Sequence, residues 1–158
     1  MRRYETQGET GLIAIRAIFV AMAILLVSPF NIYAAESDYI FKYQSLEEYE
    51  YLSEHFKARE FECSCCKAII VDIRLLDKLE DLRAYLEMPI KITSGYRCAK
   101  HNKAVGGATH SQHMRGKAAD IQVNRYTPAE VGEAAQHVGF AYIKVYKYHT
   151  HVDIVERR

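Results

Sequence analysis

The sequence has almost no excess of charge of either sign. Its 158 residues carry 21 Lys and Arg against 20 Asp and Glu, and without the first 35 residues the two counts are equal. A neutral chain offers no polybasic surface, which argues against nucleic acid as a partner. Disorder is equally disfavoured, because 49% of the residues are hydrophobic and low-complexity segments are lacking. We therefore expect one globular domain.

The sequence also lacks an apolar run long enough to cross a bilayer. The longest run, residues 12–27, is interrupted by Arg16 and falls short of the about 20 residues that a spanning helix needs. Basic residues precede it, and small residues follow it at Ala34 and Ala35, which is typical of a secretory signal. We predict that residues 1–35 are a signal peptide, with a retained membrane anchor as the alternative. Residues 36–158 are then the folded domain.

Cysteine is scarce, and its four positions do not form two pairs at metal-ligand spacing. Cys63, Cys65 and Cys66 are clustered, whereas Cys98 stands apart from them. A four-cysteine zinc site is therefore disfavoured. Because an exported protein meets an oxidising compartment, we expect at least one disulfide, and three pairings are open. Half of a structural zinc site is the alternative for the cluster.

Hydrophobic periodicity predicts a mixture of helices and strands. We predict helices over residues 45–56, 72–86 and 127–137, and strands over 90–93, over 118–123 and twice, antiparallel, within 140–155. The third helix has the clearest local signal, because Thr127, Pro128 and Glu130 combine a capping box with a proline in the first turn. This order of elements predicts an α+β fold, with a small antiparallel sheet and flanking helices.

Polar side chains on the predicted strands indicate a metal site. Side chains two apart share a strand face, so His149, His151 and Asp153 point the same way. Asp120 lies in a strand of small apolar residues, where a carboxylate is costly unless it is paired or metal-bound. His113 precedes that strand, and two imidazoles with one carboxylate suit zinc and leave a fourth position for water. For any single histidine the alternative is an ordinary surface or hydrogen-bonded residue.

Residues 111–120 form a recognisable motif. They read Ser-Gln-His-Met-Arg-Gly-Lys-Ala-Ala-Asp, which resembles the Ser-x-His-x-x-Gly-x-Ala-x-Asp motif of the zinc D-alanyl-D-alanine peptidases at every fixed position. Other segments similar to that family follow the same order: Ser-Gly-Tyr-Arg at 94–97, Asn102 with Val-Gly-Gly at 105–107, and His-Thr-His-Val-Asp at 149–153. The resemblance covers residues 60–155 and implies a fold shared with the hedgehog signalling domain.

The resemblance implies roles for individual residues. Zn²⁺ would be held by His113, Asp120 and His151. Arg97 would bind a substrate carboxylate or carbonyl oxygen, a task that suits a rigid guanidinium; a surface salt bridge is the alternative.

The general base is less clearly indicated. Several relatives place Glu or Asp three residues before the last histidine, where this sequence has Tyr148. Other relatives carry His-x-His, so we predict His149 as the base, because an imidazole can accept and return a proton. Asp153 is the competing candidate, for which we favour a supporting role behind a ligand.

The branch of the family that this sequence resembles contains secreted murein carboxypeptidases, murein endopeptidases and some phage endolysins. It implies peptidoglycan peptides as substrate, a periplasmic or secreted location, and a monomer that meets the membrane only through an uncleaved N-terminal segment. Three functions stay open: an endopeptidase cutting cross-links, a carboxypeptidase trimming terminal D-residues, and a zinc-containing binding module without turnover. We favour the endopeptidase, since little sequence follows His151 to build a lid.

Overall fold

The protein is described by a computed structural model that covers residues 40–43 and 51–157. In these residues the strands are β1 (Ile40–Tyr43), β2 (Ile69–Asp72), β3 (Ile90–Ser94), β4 (Ala118–Val123), β5 (Tyr142–Val145) and β6 (Thr150–Asp153). The α-helices are α1 (Ile73–Leu86), α2 (Ala99–Ala104) and α3 (Pro128–His137). Two short 3-10 turns, Ala58–Phe61 and Gln112–Arg115, precede β2 and β4.

The sheets are antiparallel throughout. The larger one has the strand order β3-β4-β6-β5, and β1 pairs with β2 in a separate two-stranded sheet. Because β4 and β6 are the inner strands of the larger sheet, their side chains are the most enclosed by neighbours. The predicted α+β class, with a small antiparallel sheet and flanking helices, is confirmed.

Helix α1 supplies much of the hydrophobic core. It begins where Asp72 accepts a hydrogen bond from the backbone amide of Arg74, and it ends at Glu87, which has a left-handed backbone. Its buried face consists of Leu75, Leu76, Leu79, Leu82 and Leu86. The apolar spacing in the sequence predicts the same stripe with Ile73 in place of Leu75. That assignment is wrong, because Ile73 lies in the first turn and is only half-buried, whereas Leu75 is fully enclosed.

The predicted helix over residues 45–56 is wrong where it can be compared. Residues 44–50 lie outside the described part of the chain, and residues 51–56 form bends rather than a helix. The amide of Leu52 donates to the carbonyl of Phe56 over 2.8 Å, the reverse of the helical direction. The Glu80 carboxylate of α1 accepts bonds from Ser53 Oγ (2.6 Å) and His55 N (2.9 Å). These tertiary contacts override the helical periodicity.

The other predicted elements are confirmed. Strands β3 and β4, the β5–β6 pair and helix α3 form where the patterns placed them. In the capping box of α3, Thr127 Oγ1 accepts from the Glu130 amide, and the Glu130 carboxylate accepts from the Thr127 amide. The pairing of β1 with β2 and the short helix α2 were not predicted, because β1 and β2 do not alternate apolar with polar residues and α2 has only six residues.

In the part of the chain that the structure describes, no helix is both long and apolar enough to cross a bilayer. Residues 1–35 lie outside the described residues. The signal peptide and the domain boundary at residue 36 therefore stay predictions.

Gly116 sets the path of the chain from the Gln112–Arg115 turn into β4. Its φ is +69°, and a Cβ there would lie 2.5 Å from the carbonyl oxygen of Ile70. Gly106 has nearly the same φ, +68°, but open space around it. Of these two, Gly116 alone therefore combines a left-handed backbone with a close approach of another chain segment.

We expect Gly116→Ala to destabilise the fold by at least about 2 kcal/mol more than Gly106→Ala, because both variants strain the backbone but only the first forces a clash. Urea unfolding of the two variants beside the wild type measures this difference. Equal losses in the free energy of unfolding would show that the Ile70 contact can relax.

Candidate metal centre

Three side chains from separate parts of the chain converge on one point. Asp120 on β4 is paired in register with His151 on β6, and both project from the same face of the sheet. His113 comes from the 3-10 turn that precedes β4. One potential ligand atom from each of the three lies within 4.8 Å of the other two. The structure thus brings together the three residues that the sequence predicted as ligands.

The distances between these atoms suit a small tetrahedral ion. His113 Nε2 lies 3.2 Å from Asp120 Oδ1 and 3.1 Å from His151 Nδ1, and His151 Nδ1 lies 2.9 Å from Asp120 Oδ1. Zinc bonds to nitrogen and oxygen at about 2.0 to 2.1 Å, which places neighbouring tetrahedral ligands about 3.3 Å apart. Two imidazoles and a carboxylate at this spacing fit one zinc ion.

Each imidazole is oriented by a hydrogen bond on its outer nitrogen. His113 Nδ1 donates to the carbonyl of Gly95 over 2.8 Å, and His151 Nε2 lies 3.4 Å from Asp153 Oδ2. The inner nitrogens are thereby turned toward Asp120, an arrangement typical of metal-binding histidines. Gly95 must be small, because a Cβ there would lie 2.5 Å from the Cα of Phe61.

Asp120 is a buried carboxylate that stays ionised. Burial alone would raise its pKa, but hydrogen bonds from His113 and His151 and the nearby charge of Arg97 hold the pKa of Asp120 far below its usual value. The guanidinium of Arg97 forms an ion pair with Oδ2, which leaves Oδ1 facing the histidines. A metal ligand must be deprotonated, and these contacts favour that state.

His151 is held between two carboxylates. Burial lowers the pKa of His151, but hydrogen bonds to Asp120 and Asp153 outweigh it and raise the pKa above its usual value. Asp153 is fully buried, and its oxygens also accept from the amide of Val155 and from Arg157. Asp153 therefore lies behind His151, on the side away from the cluster.

The two residues predicted to be catalytic lie beside the cluster. His149 Nε2 is 3.9 Å from Asp120 Oδ2, and its partly exposed ring stacks on Tyr146 at 4.6 Å. Arg97 Nε donates to Ser94 Oγ over 2.8 Å while Nη2 pairs with Asp120. The alternative for Arg97, a surface salt bridge, does not hold. Its side chain is only 14% exposed, and its partner is Asp120 of the cluster.

The cluster opens into a cleft of about 800 Å³. One wall is the loop at residues 106–112, and the other carries Tyr142, Lys144 and Tyr146 of the β5 hairpin together with Arg157. Its lining includes Arg97, Lys144 and Arg157, of which Arg97 pairs with Asp120 and Arg157 with the buried Asp153. Three cations against the carboxylate of Asp120 leave the lining with a net positive charge.

The cysteines form a second cluster, for which the sequence offered half of a structural zinc site only as the alternative to a disulfide. All four are free thiols in this structure, so the expected disulfide is absent. Sulfur atoms of Cys63, Cys66 and Cys98 lie within 4.8 Å of one another, and His101 Nδ1 is 3.4 Å from Cys63 Sγ. The overlooked signal is the spacing of Cys98 and His101, which repeats the two-residue gap between Cys63 and Cys66.

Comparison with known proteins identifies the family. The family model described as peptidase M15 matches residues 54–154, which is more than half of the chain, so the chain belongs to the peptidase M15 family. The zinc D-Ala-D-Ala carboxypeptidase of Streptomyces albus G is 37% identical over 81 residues, which cover 48% of this chain and 32% of that relative. The chain thus matches about a third of the relative's length.

These similarities confirm the predicted family. At the level of the family, they also confirm the class of zinc metallopeptidase and zinc as the cofactor.

Proposed function

We propose that this chain hydrolyses peptide bonds of peptidoglycan stem peptides outside the cytoplasm, with one zinc ion held by His113, Asp120 and His151. The observation that carries the proposal is the convergence of the three ligand atoms within 4.8 Å where the cleft reaches the sheet. The relative from Streptomyces albus G is named for D-Ala-D-Ala bonds, which belong to this class of peptide. A signal peptide at residues 1–35 agrees with that location, and we retain the monomer as part of the proposal.

The residues around the ligands hold the site ready for the ion. Zinc with three protein ligands acts as a Lewis acid that polarises a carbonyl and lowers the pKa of water. The Gly95 carbonyl fixes the ring of His113, and Asp153 fixes the ring of His151. Arg97 fixes the carboxylate of Asp120. Such pre-orientation favours catalysis, because the groups need not reorganise during the reaction.

We assign the role of general base to His149. Its ring is partly exposed beside Asp120, where it can accept a proton from the attacking water and return it to the leaving amine. Asp153 is unsuited to this task, because it is fully buried and its oxygens already bond His151, Val155 and Arg157. We therefore assign Asp153 the task of positioning His151.

The cleft supports cleavage within a chain as the first candidate reaction. A cleft of about 800 Å³ holds more peptide than a terminal dipeptide fills. Its cationic residues, Arg97, Lys144 and Arg157, complement the free carboxylates of stem peptides. Removal of a terminal D-residue is the second candidate, supported by the name of the relative and by the ability of the same cations to bind a terminal carboxylate.

Digestion of defined muropeptides tests both candidates. We expect the wild type to convert a cross-linked dimer into monomers, and a chelator or His113→Ala to reduce the rate at least about 1,000-fold, because the ion is lost. His137→Ala is the matched control, since this exposed histidine lies outside the cleft, and its rate should equal that of the wild type.

Mass spectrometry of the products distinguishes the outcomes. Loss of only a terminal D-alanine from uncross-linked pentapeptide would favour the carboxypeptidase. A zinc-loaded protein that leaves both substrates intact would support the binding module instead of an enzyme.

A second experiment distinguishes the roles of His149 and Asp153. We expect His149→Ala to lower kcat about 100-fold or more at unchanged zinc content, because proton transfer is lost. Asp153→Asn should instead weaken zinc binding by about 10-fold to 100-fold and recover activity when zinc is in excess. Steady-state kinetics with metal analysis of each variant measures both effects. The assignment is wrong if Asp153→Asn stays inactive with zinc bound while His149→Ala remains active.

A further inference from the structure

A second group of metal-ligating side chains lies away from the cleft. Cys63, Cys66 and Cys98 direct their sulfur atoms to within 4.8 Å of one another, and His101 Nδ1 lies 3.4 Å from Cys63 Sγ. None of the four residues is among those that line the cleft. The mechanism proposed above uses none of them.

We propose that Cys63, Cys66, Cys98 and His101 bind a second, structural zinc ion. Three thiolates and one imidazole are a donor set that zinc takes in structural sites, where four protein ligands close the coordination. The sequence spacing also fits, because each half of the site is a pair of ligands separated by two residues, Cys63 with Cys66 and Cys98 with His101.

The backbone around Cys63 is arranged to stabilise the thiolate of this residue. Cys63 exchanges hydrogen bonds with the turn that follows it: its amide donates to the Ala68 carbonyl, and its carbonyl accepts from the Lys67 amide, both over 2.9 Å. Lys67 has a φ of +62°, the left-handed conformation that closes this turn. The amide of Cys98 donates to Cys63 Sγ over 3.4 Å. Amide donors at a sulfur atom stabilise its anionic form, which metal binding requires.

The second pair is organised in the same way. Cys98 caps α2, and its sulfur accepts a hydrogen bond from the His101 amide over 3.4 Å. The sulfur of Cys98 is thus held by a backbone amide, as the sulfur of Cys63 is.

The fourth ligand is His101 rather than Cys65. Both lie outside the group of three converging sulfur atoms. His101 Nδ1 lies 3.4 Å from Cys63 Sγ, and His101 follows Cys98 at the same spacing by which Cys66 follows Cys63. A disulfide explains the geometry less well, because it needs two sulfur atoms, and here three converge, with a ring nitrogen beside one of them.

The site would join two segments on which the metal centre depends. One segment leads into β2, and the other follows β3 and contains Gly95 and Arg97. The two also meet where the Tyr96 amide donates to the Phe61 carbonyl over 2.9 Å. An ion held across both segments would restrain the carbonyl that orients His113 and the guanidinium that pairs with Asp120. A closed site of this kind supplies folding free energy rather than chemistry.

Metal analysis and cobalt substitution of the full chain test the second site without using activity as the readout. We expect about two zinc ions per chain in the wild type and about one in His113→Ala and in Cys66→Ser. After exchange for Co²⁺, the wild type and His113→Ala should show thiolate-to-cobalt charge-transfer absorption, and Cys66→Ser should lose it. Cys65→Ser is the matched control and should retain both the ion and the absorption.

Three results would overturn the proposal. The first is a single zinc ion per chain whose content does not change in Cys66→Ser. The second is a pair of cysteines that fails to react with a thiol reagent in denaturant and chelator without reductant, which would show a disulfide. The third is loss of the ion in Cys65→Ser with its retention in His101→Gln, which would reject the assigned ligands. If Cys66→Ser does not fold, the zinc content, the cobalt spectrum and the thiol count of the wild type still decide.

Discussion

The antiparallel pairing of β4 with β6 is the interaction on which the metal centre depends. It places Asp120 opposite His151 on the inner strands of the sheet. A slip of one residue would turn both side chains to the other face, where Ile121 and Val152 now pack in the core. The same hydrophobic burial that stabilises the sheet thus fixes the separation of two ligands. The cost of burying the carboxylate is offset by Arg97 and the histidines.

The contacts that orient the ligands are made largely by backbone atoms of neighbouring chain segments. A glycine carbonyl orients His113, and that glycine is pressed against Phe61, so the contact needs a residue without a side chain. Gly116 likewise allows the turn that carries His113 to lie against Ile70. The cysteine cluster, if it binds an ion as proposed, would restrain the same neighbourhood from outside the cleft. Rigidity at the centre therefore comes from close approach of chain segments as well as from hydrogen bonds.

Much of the fold and the central cluster could be predicted where the signal was local. The capping box located α3, and the two-residue strand period placed Asp120 and His151 on a polar face. Where tertiary contacts decide, prediction failed: Glu80 accepts hydrogen bonds from Ser53 and His55, and residues 51–56 form bends instead of a helix. The ion pair between Arg97 and Asp120 was beyond prediction too, because Arg97 lies in the loop after β3 and Asp120 lies in β4.

The cysteines show a different kind of failure. The prediction considered sulfur ligands alone, and it therefore missed the pair of Cys98 and His101, whose spacing is visible in the sequence.

The central claim, that His113, Asp120 and His151 hold one zinc ion, is tested most directly by a crystal structure of the zinc-loaded protein measured at the zinc absorption edge. The account predicts an anomalous peak bonded to His113 Nε2, His151 Nδ1 and Asp120 Oδ1. A zinc-loaded crystal with no peak among these three atoms would contradict it.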